Sequence, residues 1–159
     1  MTFCLVSTRE ATVRKMNSIP IPNNILIPQV EELIKRDKEV IIRAKGNSML
    51  PYIKDGKDSV VLAQPKNLAV GDIVLARVQE RFVMHRIISI TGKTCTMMGD
   101  GNIRGTEVFC KEDAIGKVIW IVKPDGRRVA PGKARLWRGL LPIRRYLLAL
   151  YRRTLLKLY

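Results

Sequence analysis

Between Glu39 and Val122 the chain alternates apolar and polar residues or runs in short β-branched blocks, cut at close intervals by turn residues. Val40-Ile41-Ile42-Arg43-Ala44, Asp58-Ser59-Val60-Val61-Leu62, Ile73-Val74-Leu75-Ala76 and Arg81-Phe82-Val83-Met84-His85-Arg86-Ile87-Ile88 each read as a strand. Thr91-Gly92-Lys93 reads as a hairpin turn into a strand over residues 94–98. Gly116 to Val122 forms a last strand, ended by Pro124-Asp125-Gly126. In the fourth of these blocks Phe82, Met84 and Arg86 alternate with Val83, His85 and Ile87, so His85 shares a face with Val83 and Ile87. Short strands in series with no helix between them predict a mainly β fold, a compact and curved mixed-β body.

Both flanks are different. Ile27, Val30, Leu33 and Ile34 recur at helical spacing, with Glu31, Glu32, Lys35 and Arg36 on other faces, and predict a short helix that has Pro28 in its first turn. Residues 1–24 carry no clear period, and Met16 is a second candidate start. After Asp125 the pattern becomes helical again, with Pro142 as an initial residue. Ile143, Leu147, Leu150, Tyr151, Leu155 and Leu158 then fall on one face, with Arg145, Arg152 and Arg153 on another. Three segments follow: 1–38 with the short helix, the β core over 39–124, and a basic amphipathic tail over 125–159.

Composition sharpens the tail. The 159 residues are one domain's worth, and 47% hydrophobic content supports a real core. Lys and Arg number 29 against 14 Asp and Glu, a net charge of +15. Residues 127–159 hold ten of those cations and no acid. Such an excess suits an anionic surface or nucleic acid and says nothing about fold. Cys4, Cys95 and Cys110 are widely spaced, so neither a disulfide framework nor a metal site is expected, and a reducing compartment is the simpler reading. No cofactor is implied.

The candidate chemistry lies in Gly46-Asn47-Ser48-Met49-Leu50-Pro51, directly after a predicted strand. Gly46 permits a sharp turn, and Pro51 fixes its exit. Further on come Val70-Gly71-Asp72 feeding a strand, then Met84-His85-Arg86-Ile87, then Gly99-Asp100-Gly101-Asn102. In this order the motifs resemble the signal peptidase I and LexA-type serine peptidases over residues 40–122. That family joins a Ser-Met nucleophile turn to a Gly-Asp strand and a base beside an Arg. The base is Lys in LexA and most bacterial signal peptidases. It is His, with a Gly-Asp-x-Asn motif, in the archaeal and endoplasmic-reticulum signal peptidases, and the present motifs look like that form.

The resemblance implies a serine endopeptidase of the signal peptidase/LexA fold, with Ser48 as nucleophile and His85 as general base. A serine hydroxyl is a poor nucleophile until a base takes its proton, and imidazole, with a reference pKa of about 6.5, is largely basic near neutral pH. Asp100 is the expected third group, orienting His85. The resemblance also implies an acid about six residues past the Gly-Asp-x-Asn motif, where Thr106 stands with Glu107 next, and a serine at the position of Gly46. The expected oxyanion donors are the Ser48 backbone N–H and Asn47, and Met49 and Pro51 are the expected substrate contacts. Asp55 and Asp72 read as turn-formers.

The partner expected is a protein or peptide substrate, with an anionic membrane surface as a candidate for residues 136–159. Nucleic acid is disfavoured for want of a recognition motif. The setting expected is cytoplasmic, peripheral at the inner face of the membrane. The alternative is a catalytically silent peptidase-like domain that binds a peptide, a membrane surface or nucleic acid. No stretch reaches the 18 or so apolar residues of a span, and no Ala-Gly or Cys-Gly bond is present for LexA-type self-cleavage.

Overall fold

The computed structural model describes residues 2–7 and 22–154. Met16, a candidate start, and Leu155 and Leu158 of the predicted tail face lie outside these. In chain order the elements are β1 (Thr2–Ser7), α1 (Asn23–Lys35), β2 (Val40–Lys45), β3 (Ser59–Ala63), β4 (Ile73–Val78), β5 (Arg81–Thr91), β6 (Thr94–Met98), β7 (Glu107–Cys110), β8 (Ala114–Val122), β9 (Arg128–Val129), α2 (Arg135–Gly139) and α3 (Leu141–Thr154). The sheet runs β1-β2-β3-β8-β4-β5-β6-β7, with β9 paired to the end of β8. Its described pairings are all antiparallel. The mainly β core is therefore as the apolar alternation predicts.

The two faces of the sheet feed two apolar clusters. On one face Val40, Ile42, Val60, Leu62, Ile73, Leu75 and Met84 meet Leu26, Ile27, Val30 and Ile34 of α1. Each such side chain contributes about 1.5–3 kcal/mol on burial, which holds α1 to the sheet. On the other face Val74, Val78, Ile87, Cys95, Met97 and Phe109 pack together as β4 to β7 curl over. A register shift between Ile87 and Ser89 bends the long strand β5 at this point. His85 pairs with Val74 and so faces this second cluster, while Arg86 faces the first.

Pro28 is not in the first turn of α1. The helix starts at Asn23 because the Pro22 carbonyl accepts the N–H groups of Ile25 and Leu26, both at 3.0 Å. Pro28 then costs the bond that its own N–H would have made to Asn24. Both residues are exposed, so water serves the Asn24 carbonyl, and the four buried apolar residues hold the helix.

Three strands lie where no strand was expected, the two-residue β9 among them. β1 pairs with β2, from Thr2 opposite Lys45 to Ser7 opposite Ile41, although its sequence carries no alternation. β7 is four residues long, too short for a period to register, and pairs along β6.

Candidate active site

The Ser48 turn is pinned at three points. Asp55 Oδ1 accepts the Gly46 N–H at 2.8 Å, the Asn47 carbonyl accepts the Leu50 N–H at 3.3 Å, and the Met49 carbonyl accepts the Ile53 N–H at 3.0 Å. Met49, Leu50 and Ile53 are fully buried and draw the turn onto the core. The Leu50–Pro51 peptide is cis. Asp55 thus does more than form a turn: it fixes the entry to the candidate nucleophile.

A loop between β6 and β7 receives this turn. The Gly101 N–H donates to the Ser48 carbonyl at 2.7 Å. A Cβ on Gly99 would lie 2.4 Å from the Ser48 carbonyl oxygen, and one on Gly101 2.4 Å from that of Asn47. Two glycines are therefore the condition for this approach. Arg86 pairs with Met98, the last residue of β6, so the loop that receives the Ser48 turn leaves β6 beside His85 and Arg86. Met49 and Ile53 of the turn pack into the first apolar cluster, the one that Arg86 faces.

His85 is 5% exposed. Its Nδ1 is 2.8 Å from Glu107 Oε2. A carboxylate has no hydrogen to give, so Nδ1 is the donor, and in the neutral imidazole the lone pair is then on Nε2. The Ser48 hydroxyl is buried and has no hydrogen-bond partner among the described residues. The resting Ser48–His85 hydrogen bond is therefore not made, as is common in substrate-free sites, where such bonds are long.

Asp100 does not orient His85. Its carboxylate is 2% exposed and grips Arg86, with Nε at 2.9 and 3.1 Å from the two oxygens and Nη2 at 2.7 Å. The fork geometry of guanidinium and carboxylate explains the preference, since Arg86 and His85 leave β5 on opposite faces. Arg86 Nη1 also donates to the carbonyls of Gly71 and Gly132, both at 2.7 Å, and the guanidinium lies 5.1 Å from the centroid of the Tyr52 ring. Burial, then the Asp100 charge, push the Tyr52 phenol above its ordinary range. The acid on His85 is Glu107, one residue past the offset that the resemblance implies. Its signal was the Val108-Phe109-Cys110 run, which puts Glu107 at the head of a strand.

The remaining expected site residues divide. Asn47 is exposed beside Ser48, and Pro51 is half-buried. Met49 lies in the core with no exposed surface, so it does not contact substrate. Asp72 accepts the Ala69 N–H at 2.9 Å, as a turn-former does, and also pairs with Lys117 at 3.1 Å and with Lys133. Burial opposes its charge, but the hydrogen bonds from Lys133, Ala69 and Lys117 outweigh this and hold the carboxyl below its ordinary range. Among the described residues no three of His, Cys, Asp and Glu converge to hold a metal ion.

The described residues of the tail's predicted apolar face are not turned to the core but range from half-buried to exposed. Arg144 and Leu148 are buried, Leu147 and Tyr151 half-buried, and Ile143, Tyr146 and Leu150 exposed. Arg144 turns the helix this way by donating to the carbonyls of Asn102 and Trp137, both at 3.2 Å, with its guanidinium 5.4 Å from the centroid of the Trp137 ring. No described helix is long and apolar enough to cross a membrane.

A family profile described as Peptidase S24-like matches residues 7–119, more than two thirds of the chain. No curated protein matches it. The match spans β2 to β7, the Ser48 turn, His85 and Glu107, and stops before the tail that covers the Gly99–Asn102 loop.

Proposed function

The chain belongs to the Peptidase S24-like family, and from that premise we propose that it is a serine endopeptidase using Ser48, His85 and Glu107. His85 Nε2 takes the hydroxyl proton as Ser48 Oγ attacks a peptide carbonyl, then gives it to the leaving amine. Glu107 keeps the imidazole in the tautomer that this requires and balances the charge it gains. The Ser48 N–H and the Asn47 amide receive the developing oxyanion, a role in which one donor is worth about 10² to 10³ in rate.

The observation that carries this reading is the His85–Glu107 bond at 2.8 Å. Incubation with a diverse peptide library tests it: products should appear with wild type and be missing with Ser48→Ala. Identical product patterns from both proteins would refute it.

The unbonded Ser48 hydroxyl supports a second reading, a domain that binds peptide without turnover. The same library separates the two, since binding without cleavage by the wild type favours the second. The setting we propose is cytoplasmic, at the inner face of a membrane, where exposed Ile143, Tyr146, Arg145 and Arg153 of α3 meet anionic lipid. Vesicle binding that ignores lipid charge and salt would remove that part of the proposal.

A further inference from the structure

We infer that the segment from Gly132 to Arg144 is a clamp on the active-site loop, with Trp137 and Arg144 as positioning residues. This rests on the reading of Ser48 and His85 as the reacting pair. The segment lies wholly beyond the residues matched by the family profile.

Its contacts converge on one place. Trp137 Nε1 donates to the Asp100 carbonyl at 2.8 Å, and Arg144 Nη1 donates to the Asn102 carbonyl at 3.2 Å. These two carbonyls flank Gly101, whose N–H holds the Ser48 carbonyl. Upstream, the Gly132 carbonyl accepts from Arg86, which grips Asp100 in the same loop, and Lys133 pairs with Asp72. Trp137 stands edge-on to Tyr52 at 6.4 Å between centroids and carries Arg144 on its other contacts.

Arg144 is the telling residue. A helix that merely covers a core does so with Leu or Ile, because burying a guanidinium is costly. Here the guanidinium is 2% exposed, its Nε has no partner among the described residues, and burial depresses its pKa. What it gains is a grip on Asn102 and on the Trp137 carbonyl, which locks the second donor in place. The loop is thereby held from both sides: Ser48 rests on its inner surface, and the clamp on its carbonyls.

The test uses the full chain with Trp137→Phe, which keeps the ring but removes the N–H, and Arg144→Met, which keeps the length. Lys93→Met, at an exposed position in the β5–β6 turn, is the control. Three quantities are read: amide exchange at Gly101, the thermal midpoint, and the rate at which a fluorophosphonate probe labels Ser48 across pH. Losing one such bond should speed Gly101 exchange about three- to tenfold in Trp137→Phe, while amides of β3 and β8 keep their wild-type rates. Labelling should slow with an unchanged pH midpoint, because the His85–Glu107 bond is untouched, and Arg144→Lys should recover part of it. If Arg144→Met does not fold, Trp137→Phe decides alone. Unchanged Gly101 exchange, exchange raised uniformly through the sheet, or labelling at the wild-type rate would each overturn the clamp. A wild type that is never labelled, with Gly101 still responding, leaves the clamp standing and removes the peptidase reading.

Discussion

Nδ1 of His85 and Oε2 of Glu107 are 2.8 Å apart across strands that are not sequence neighbours, and this bond decides which nitrogen of His85 can act as a base. Replacing Glu107 by Gln keeps an oxygen at hand but permits the wrong tautomer. Triads whose acid becomes an amide lose about 10⁴-fold. Glu107→Gln should lower probe labelling or cleavage by about 10² to 10⁴, whereas Asp100→Asn should act through loop stability. Measured rates of the two variants, set against their thermal midpoints, check this division.

Ser48→Ala should be inactive and also more stable. The hydroxyl is buried with no partner, so its removal relieves a desolvation penalty of about 1 kcal/mol or more. Chemical denaturation should show a higher midpoint at an unchanged slope. A clear loss of stability would mean that the hydroxyl is bonded in solution.

Much of this site was legible in sequence because its parts are local. A Gly-rich turn after a strand, an alternating strand that assigns His85 a face, and a Gly-Asp-Gly-Asn loop each leave a short-range signature. The partner of His85 is a tertiary matter. Asp100 is the nearer acid in the motif, but Arg86 leaves β5 on the opposite face and takes it, and Glu107 arrives only through the β6–β7 pairing. Met49 follows the nucleophile and looks available, yet its side chain turns inward with Leu50 and Ile53. The face of α3 that packs inward was hidden for the same reason, since the apolar stripe ranks Leu above Arg144 and takes no account of carbonyls waiting on a distant loop.

Gly101→Ala should be among the most damaging single substitutions. The added Cβ would lie 2.4 Å from the Asn47 carbonyl oxygen and 3.3 Å from Leu50 backbone atoms, none of which can swing aside as a side chain would. Overpacking of this kind costs about 1–3 kcal/mol, and it would push the Ser48 turn away from His85. A crystal structure of the variant with the turn displaced, and labelling strongly reduced, is the expected outcome.

Asp72 gives the chain an acid sensitivity. Its pKa is lowered in the folded state, so its contribution is fully present above the unfolded value of about 3.9 and is lost as pH falls through the folded value. Asp72→Asn should therefore destabilise the protein at neutral pH, with the difference from wild type shrinking as pH is taken below 4. Urea midpoints across that range measure it.

The central claim is that Ser48 is a nucleophile activated by a His85 that Glu107 orients. Mass spectrometry of the intact protein and its peptides after treatment with a fluorophosphonate measures this directly. One adduct per chain is expected, on Ser48, lost in Ser48→Ala and slowed by orders of magnitude in His85→Ala, with both variants folded. An adduct on another residue, or labelling of Ser48 that proceeds at the wild-type rate without His85, would contradict it.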